Sequence, residues 1–90
     1  MSVTYFEGIG RRKEASARVR IMAGTGSFIV NSLPVEKYFT RVGDLGVLTA
    51  PMKAVGENLA TFDISVVVKG GGVTGQTTAV QLGIARALLL

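Results

Sequence analysis

The 90-residue sequence contains no cysteine, no histidine and no tryptophan, and only two prolines. Without cysteine there are no disulfides, no thiol nucleophiles and no thiolate zinc sites. Without histidine the chain lacks the side chain that titrates near neutral pH and the commonest metal ligand. These gaps remove the groups on which most hydrolases and metalloenzymes depend, so no catalytic residue, metal site or cofactor is expected. Charged residues are also scarce, at 18%, whereas 48% are hydrophobic. That ratio argues against intrinsic disorder, because the apolar content suffices to offset the entropy of ordering. The most apolar stretch, Ala79 to Leu90, covers 12 residues and carries Gln81 and Arg86, whereas a bilayer span needs about 20. The N-terminus has no basic run followed by an apolar core. A soluble, intracellular single domain over residues 1–90, with no membrane partner, is the expectation.

The charge that is present is unevenly placed. The net charge is +4 and the isoelectric point is near 10.0. Residues 1–41 contribute all of the excess, through Arg11, Arg12, Lys13, Arg18, Arg20, Lys37 and Arg41 against Glu7, Glu14 and Glu36. In residues 42–90, Lys53, Lys69 and Arg86 balance Asp44, Glu57 and Asp63. Five of the cations fall between positions 11 and 20, a concentration that suggests a polyanionic partner. An ordinary solvated surface is the plainer reading.

Hydrophobic periodicity outlines the elements. Val3 to Gly10 reads as a strand, followed by a charged turn over Arg11-Arg12-Lys13-Glu14. Ala17 to Met22 is a second strand, with Ala17, Val19 and Ile21 on one face and Arg18 and Arg20 on the other. Gly24-Thr25-Gly26 turns the chain into a short strand, Ser27 to Val30, ended by Asn31-Ser32. An antiparallel meander of these three strands is the expectation. Pro34 suits a first helical position, with Ser32 or Leu33 at the cap and Val35, Tyr38 and Phe39 as the apolar set. Residues 43–59, interrupted by Gly43, Gly46, Pro51 and Gly56, read as short helical turns. Thr61 to Lys69 is the strongest strand, with Phe62, Ile64, Val66 and Val68 on one side and Asp63, Ser65, Val67 and Lys69 on the other. A helix then runs from Gly75 or Gln76 to the end, with Val80, Ile84, Ala87 and Leu88 on one stripe. The order βββ, helix, β, helix predicts an α+β two-layer sandwich with helices on one face of a mainly antiparallel sheet.

The glycine segment Lys69-Gly70-Gly71-Gly72-Val73-Thr74-Gly75-Gln76-Thr77 follows a strand and opens a helix. It matches a dinucleotide glycine pattern through Gly70, Gly72 and Gly75, and stands one residue from a Walker phosphate loop. Both patterns let backbone N–H groups approach phosphate oxygens at a helix N-terminus. The dinucleotide motif also needs an acid about 20 residues further on, and none follows Asp63. The Walker motif needs a lysine where Gln76 stands. Three consecutive glycines exceed what a turn requires, which points to the close approach of another backbone. A phosphate of any origin, including one in a nucleic-acid backbone, could be held beside Lys69.

The run Tyr5-Phe6-Glu7-Gly8-Ile9-Gly10-Arg11-Arg12-Lys13-Glu14-Ala15-Ser16-Ala17-Arg18-Val19 resembles the opening signature of the universal small-subunit ribosomal protein nine family, of bacterial or organellar type. The same resemblance extends to Asn31-Ser32-Leu33-Pro34-Val35-Glu36-Lys37-Tyr38-Phe39, to Val68 through Gln76, and to Gly83-Ile84-Ala85-Arg86-Ala87-Leu88. These blocks occur in the family's order and span nearly all of residues 4–90. The resemblance implies a β3-αβα domain, ribosomal-protein-S-five-domain-two-like, placed in the head of the small subunit on rRNA beside neighbouring head proteins. It implies RNA contact at Gly10, Arg11, Arg12 and Lys13 and at Lys69, Gly70, Gly71 and Gly72, with Arg18 and Arg20 beside the first turn. A ribosome-bound location, cytoplasmic or organellar, goes with it. The family continues beyond the final helix into a long basic tail that reaches transfer RNA. This chain stops at Leu90, so the expectation is the globular domain without that tail, and transfer RNA contact is not attributed to these residues.

The leading reading is therefore a structural rRNA-binding protein that contacts backbone phosphates and catalyses nothing. The alternative is a phosphate-loop nucleotide-binding module built on residues 70–77. A third is an interaction domain that pairs through its sheet edge or through Leu88, Leu89 and Leu90.

Overall fold

The computed structural model describes residues 5–56 and 59–88. Val3, Glu57, Leu89 and Leu90, which the expectations above invoke, lie outside the described residues. Five strands and three helices follow in the order β1 (Tyr5–Arg12), β2 (Ala15–Ala23), β3 (Phe28–Val30), β4 (Leu33–Pro34), α1 (Val35–Tyr38), α2 (Asp44–Ala54), β5 (Phe62–Lys69) and α3 (Val73–Leu88), with a 3-10 turn, Leu59–Thr61, before β5. The helices lie on one face of a mixed sheet, an α+β two-layer sandwich as the periodicity implies. Alternation dictates what they cover. Ala15, Ala17, Val19 and Ile21 of β2 and Ile64, Val66 and Val68 of β5 are buried against Ala79, Val80, Ile84 and Ala87 of α3 and Leu48 and Met52 of α2.

The expected meander does not form. The sheet order is β1-β2-β5-β3-β4, with β5 between β2 and β3. It is antiparallel to β2, and β3 runs parallel to it. Alternation identifies strands but not their neighbours, and the neighbour is set here by the start of β5. The Asp63 carboxylate accepts the N–H groups of Thr25 at 3.0 Å and Ser27 at 3.1 Å, while the Gly24 and Gly26 N–H groups donate to the carbonyls of Thr61 and Phe62. These bonds carry the chain across the end of β5 and set β3 down on its far side.

Three local expectations also change. Asn31 and Ser32 both have positive φ, at 49° and 69°, and form the tight turn between β3 and β4, so Ser32 does not cap a helix. Pro34 occupies the N-cap of α1 with no side-chain cap bond. Residues 44–54 form one continuous helix instead of separate turns, with Gly46 and Pro51 inside it. Its first turn carries Asp44, favourable at the positive helix end, and full burial of Leu48 and Met52 overrides the poor local propensity. Finally, β1 extends through Arg12, leaving only Lys13 and Glu14 as the turn, and α3 begins at Val73.

The tightest packing is between β1 and α3. A methyl group at Gly8 would overlap the Gly83 carbonyl oxygen, and one at Gly10 would overlap the Ala79 carbonyl oxygen and the Gly83 nitrogen. Backbone therefore lies directly on backbone, and Arg86 Nη1 donates to the Ile9 carbonyl at 2.6 Å. Gly10→Ala should destabilise the domain by about 3 kcal/mol, since neither backbone can yield without moving an entire element. Gly46→Ala, in open helical surface, should instead stabilise it by about 0.5–1 kcal/mol. Urea unfolding followed by circular dichroism measures both.

Candidate nucleic-acid interface

The alternation that buries one face of β1, β2 and β5 presents the other to solvent, and no described helix covers it. Strand register arranges this face in rungs. Arg11, Ser16 and Lys69 stand side by side across β1, β2 and β5; next come Ile9, Arg18 and Val67; then Glu7, Arg20 and Ser65. All of these but Glu7 line an open hollow of about 380 Å³. Four cations thus converge from the β1–β2 hairpin and from β5, which is distant from it in sequence. Glu7 lies among them: its carboxylate accepts a hydrogen bond from Arg20 Nε at 3.1 Å and stands 3.5 Å from Arg18 Nε. The Arg20 guanidinium also lies over the Tyr5 ring, 5.2 Å from its centroid.

Two turns adjoin the Arg11–Lys69 end of the hollow. Lys13 and Glu14 both adopt positive φ, 50° and 69°, giving the two-residue hairpin geometry that matches strand twist. Gly70 and Gly71, at φ 78° and 63°, pack against it. A side chain at Gly70 would come within 2.5 Å of the Glu14 carbonyl oxygen, and one at Gly71 within 2.8 Å of that of Lys13. The close approach suggested by the triple glycine is made, at these two positions, by the chain's own hairpin. Gly72 faces open space.

The candidate residues therefore fall into distinct places. Arg11, Arg18, Arg20 and Lys69 share the open face. Arg12, one residue out of phase, belongs to the opposite face of β1, and Lys13 is at the hairpin tip. Gly10 is buried beneath α3, whereas Gly70, Gly71 and Gly72 are exposed. Alternation sets Ser65 and Val67 on the same side of β5 as Lys69, but the sequence reading did not join them, or Ile9 and Ser16, to the arginines, nor single out Glu7 as the acid between two of these. Only the cross-strand register could have grouped them.

A second group of side chains fixes the glycine turn. Gln76 Nε2 donates to the Gly70 carbonyl at 3.0 Å, and Gln76 Oε1 accepts from the Tyr38 hydroxyl at 2.8 Å. Asn31 acts as an extra strand partner: its side chain accepts from Val68 N–H at 2.9 Å and donates to the Val68 carbonyl at 2.8 Å. Arg41 joins the two helix starts, donating to Thr74 Oγ1 at 3.0 Å and pairing with Asp44 at 3.0 Å. The position a Walker lysine would fill is thus turned inward onto the loop. The Thr77 hydroxyl is likewise committed to the Val73 carbonyl, at 2.9 Å.

Fold and face together define a two-layer α+β domain with one side left free and lined with cations. The chain belongs to the ribosomal protein S9/S16 family, whose model matches residues 10–90. It is similar to the small ribosomal subunit protein uS9 of two strains of Dehalococcoides mccartyi, BAV1 and CBDB1. It is 46% identical to each over 85 residues, which cover 94% of this chain and 64% of each relative. The chain thus spans just under two thirds of the length of these relatives.

Because Tyr38 and Gly70 meet through one glutamine, Tyr38→Phe and Gln76→Ala should each cost about 1 kcal/mol. The double variant should cost about 0.5 kcal/mol less than their sum, as read by a double-mutant cycle of denaturant midpoints.

Proposed function

We propose that residues 1–90 form a single rRNA-binding domain of a small-subunit ribosomal protein, organising RNA of the subunit head beside neighbouring ribosomal proteins and catalysing nothing. The observation that carries this reading is the convergence of Arg11, Arg18, Arg20 and Lys69 on one uncovered face. Arginine and lysine neutralise backbone phosphates, and the contact releases counterions. Lys13, at the tip of the adjoining hairpin, extends the same positive surface, and Arg12 adds charge at its edge. Gly72, with open space before it, leaves a backbone stretch that an RNA phosphate can approach. The uS9 relatives support the reading by family, and the ribosome is its natural location. Gly10, Gly70 and Gly71 serve this surface by letting α3 and the two turns pack closely enough to assemble it.

If Arg11, Arg12, Lys13, Arg18 and Lys69 each meet one phosphate, binding to transcribed small-subunit rRNA should fall with a log–log salt slope between about −3.5 and −4.5. Replacing Arg11, Arg12 and Lys13 together by alanine should flatten that slope by about 2 to 3 units. An unchanged slope in the triple variant would remove these residues from the interface. Calorimetry with ATP, GTP and NAD in the presence of magnesium should show no heat of binding; micromolar affinity would favour a nucleotide site at residues 70–77.

A further inference from the structure

We propose that the open face is built for an unpaired RNA segment laid along β2, with phosphates over its cationic rungs and bases over Ile9 and Val67. The inference rests on the rRNA-binding reading and specifies which form of RNA the face accepts. Residues two apart on a strand are about 6.8 Å apart, which matches the spacing of successive phosphates in an extended nucleic-acid strand. The first rung places Arg11 and Lys69 on either side of the Ser16 hydroxyl. The next places Arg18 between two aliphatic side chains, Ile9 and Val67.

The aliphatics distinguish a strand from a duplex. Val67 is 59% exposed and Ile9 37% exposed, in the middle of the face that carries Arg11, Arg18, Arg20 and Lys69. A face that met only the phosphates of a helix would gain nothing from apolar groups between its cations. A splayed-out base has an apolar face to cover them, and unpaired segments are the forms of RNA whose bases are free to do so.

Glu7 limits the track. It stands in the third rung against Arg20 and reaches Arg18, supplying an internal anion where a further phosphate would otherwise lie. Asp63 closes the same end from β5, held by the N–H groups of Thr25 and Ser27. Positive charge therefore increases toward the hairpin and is neutralised away from it, giving the track one open end.

The test compares fluorescent oligouridine with an oligouridine–oligoadenosine duplex of the same length and salt concentration, using the whole chain. The single strand should bind at least about fivefold more tightly, an advantage equivalent to burying roughly one base against the two aliphatics. Val67→Ser should weaken the single strand about fivefold without changing its salt slope, with Val67→Thr, which keeps the strand propensity, intermediate. Glu7→Gln should tighten single-strand binding and steepen its slope by about 0.7, the increment for one further phosphate. A duplex bound as tightly as the strand, or a Val67→Ser variant with unchanged affinity, would overturn the proposal. In that case, salt-dependent binding that is lost when Arg11, Arg18 and Lys69 are replaced by alanine would leave the broader rRNA reading standing. Absence of binding to rRNA and to both probes would defeat both.

Discussion

Direct backbone contact between β1 and α3 is the constraint from which the rest of the surface follows. Gly8 and Gly10 carry no side chain toward the helix, so its backbone lies on the first strand at a distance that an alanine at either position would not permit. Once α3 is pressed there, it covers β1 and β2 from one side, and its Arg86 ties the Ile9 carbonyl. The helical layer is then used up on that side. With α3 and α2 stacked together over the core, the opposite face of β1, β2 and β5 keeps its polar rungs in water. The placement of glycines in β1 and α3 thus decides which face of the sheet is covered and which stays open.

The two turns at the end of that surface show how local strain is supported by tertiary contact. Lys13 and Glu14 hold left-handed conformations that cost about 1–2 kcal/mol per residue outside glycine. The glycines sit in the opposing turn, where Gly70 and Gly71 accept the hairpin's carbonyls at close range. Asn31 and Gln76 then hold the chain on either side of Lys69, through Val68 and Gly70. Lys69 is therefore fixed in register by neighbours on both sides, and its amine is directed by the strand alternation that also orients Ser65 and Val67.

Alternation made much of this legible from the sequence. The patterns Ala17-Arg18-Val19-Arg20-Ile21 and Phe62 to Lys69 correctly placed the buried and open faces of β2 and β5, and with them the exposure of Arg18, Arg20 and Lys69. The order of the sheet was not legible. It depends on Asp63 capturing the Thr25 and Ser27 N–H groups, a contact across nearly 40 residues that no periodicity encodes. Ser32 looked like a helix cap because serine accepts from free helical N–H groups, but the Asn31-Ser32 pair was needed for a hairpin turn. Gly46 and Pro51 suggested a broken segment, and only the burial of Leu48 and Met52 explains why the helix persists.

The same limit applies to the site. A cluster of cations between positions 11 and 20 is visible in one dimension, but its members separate once the strand is formed. Arg11 and Arg12 point to opposite sides of β1, and Lys69 joins Arg11 from almost 60 residues away. Glu7 is separated from Arg18 and Arg20 by a hairpin, yet it neutralises part of their charge. Net charge and linear clustering therefore give the sign of the patch but not its layout. The cross-strand register supplies that layout: cations graded toward the hairpin, with Ile9 and Val67 between them.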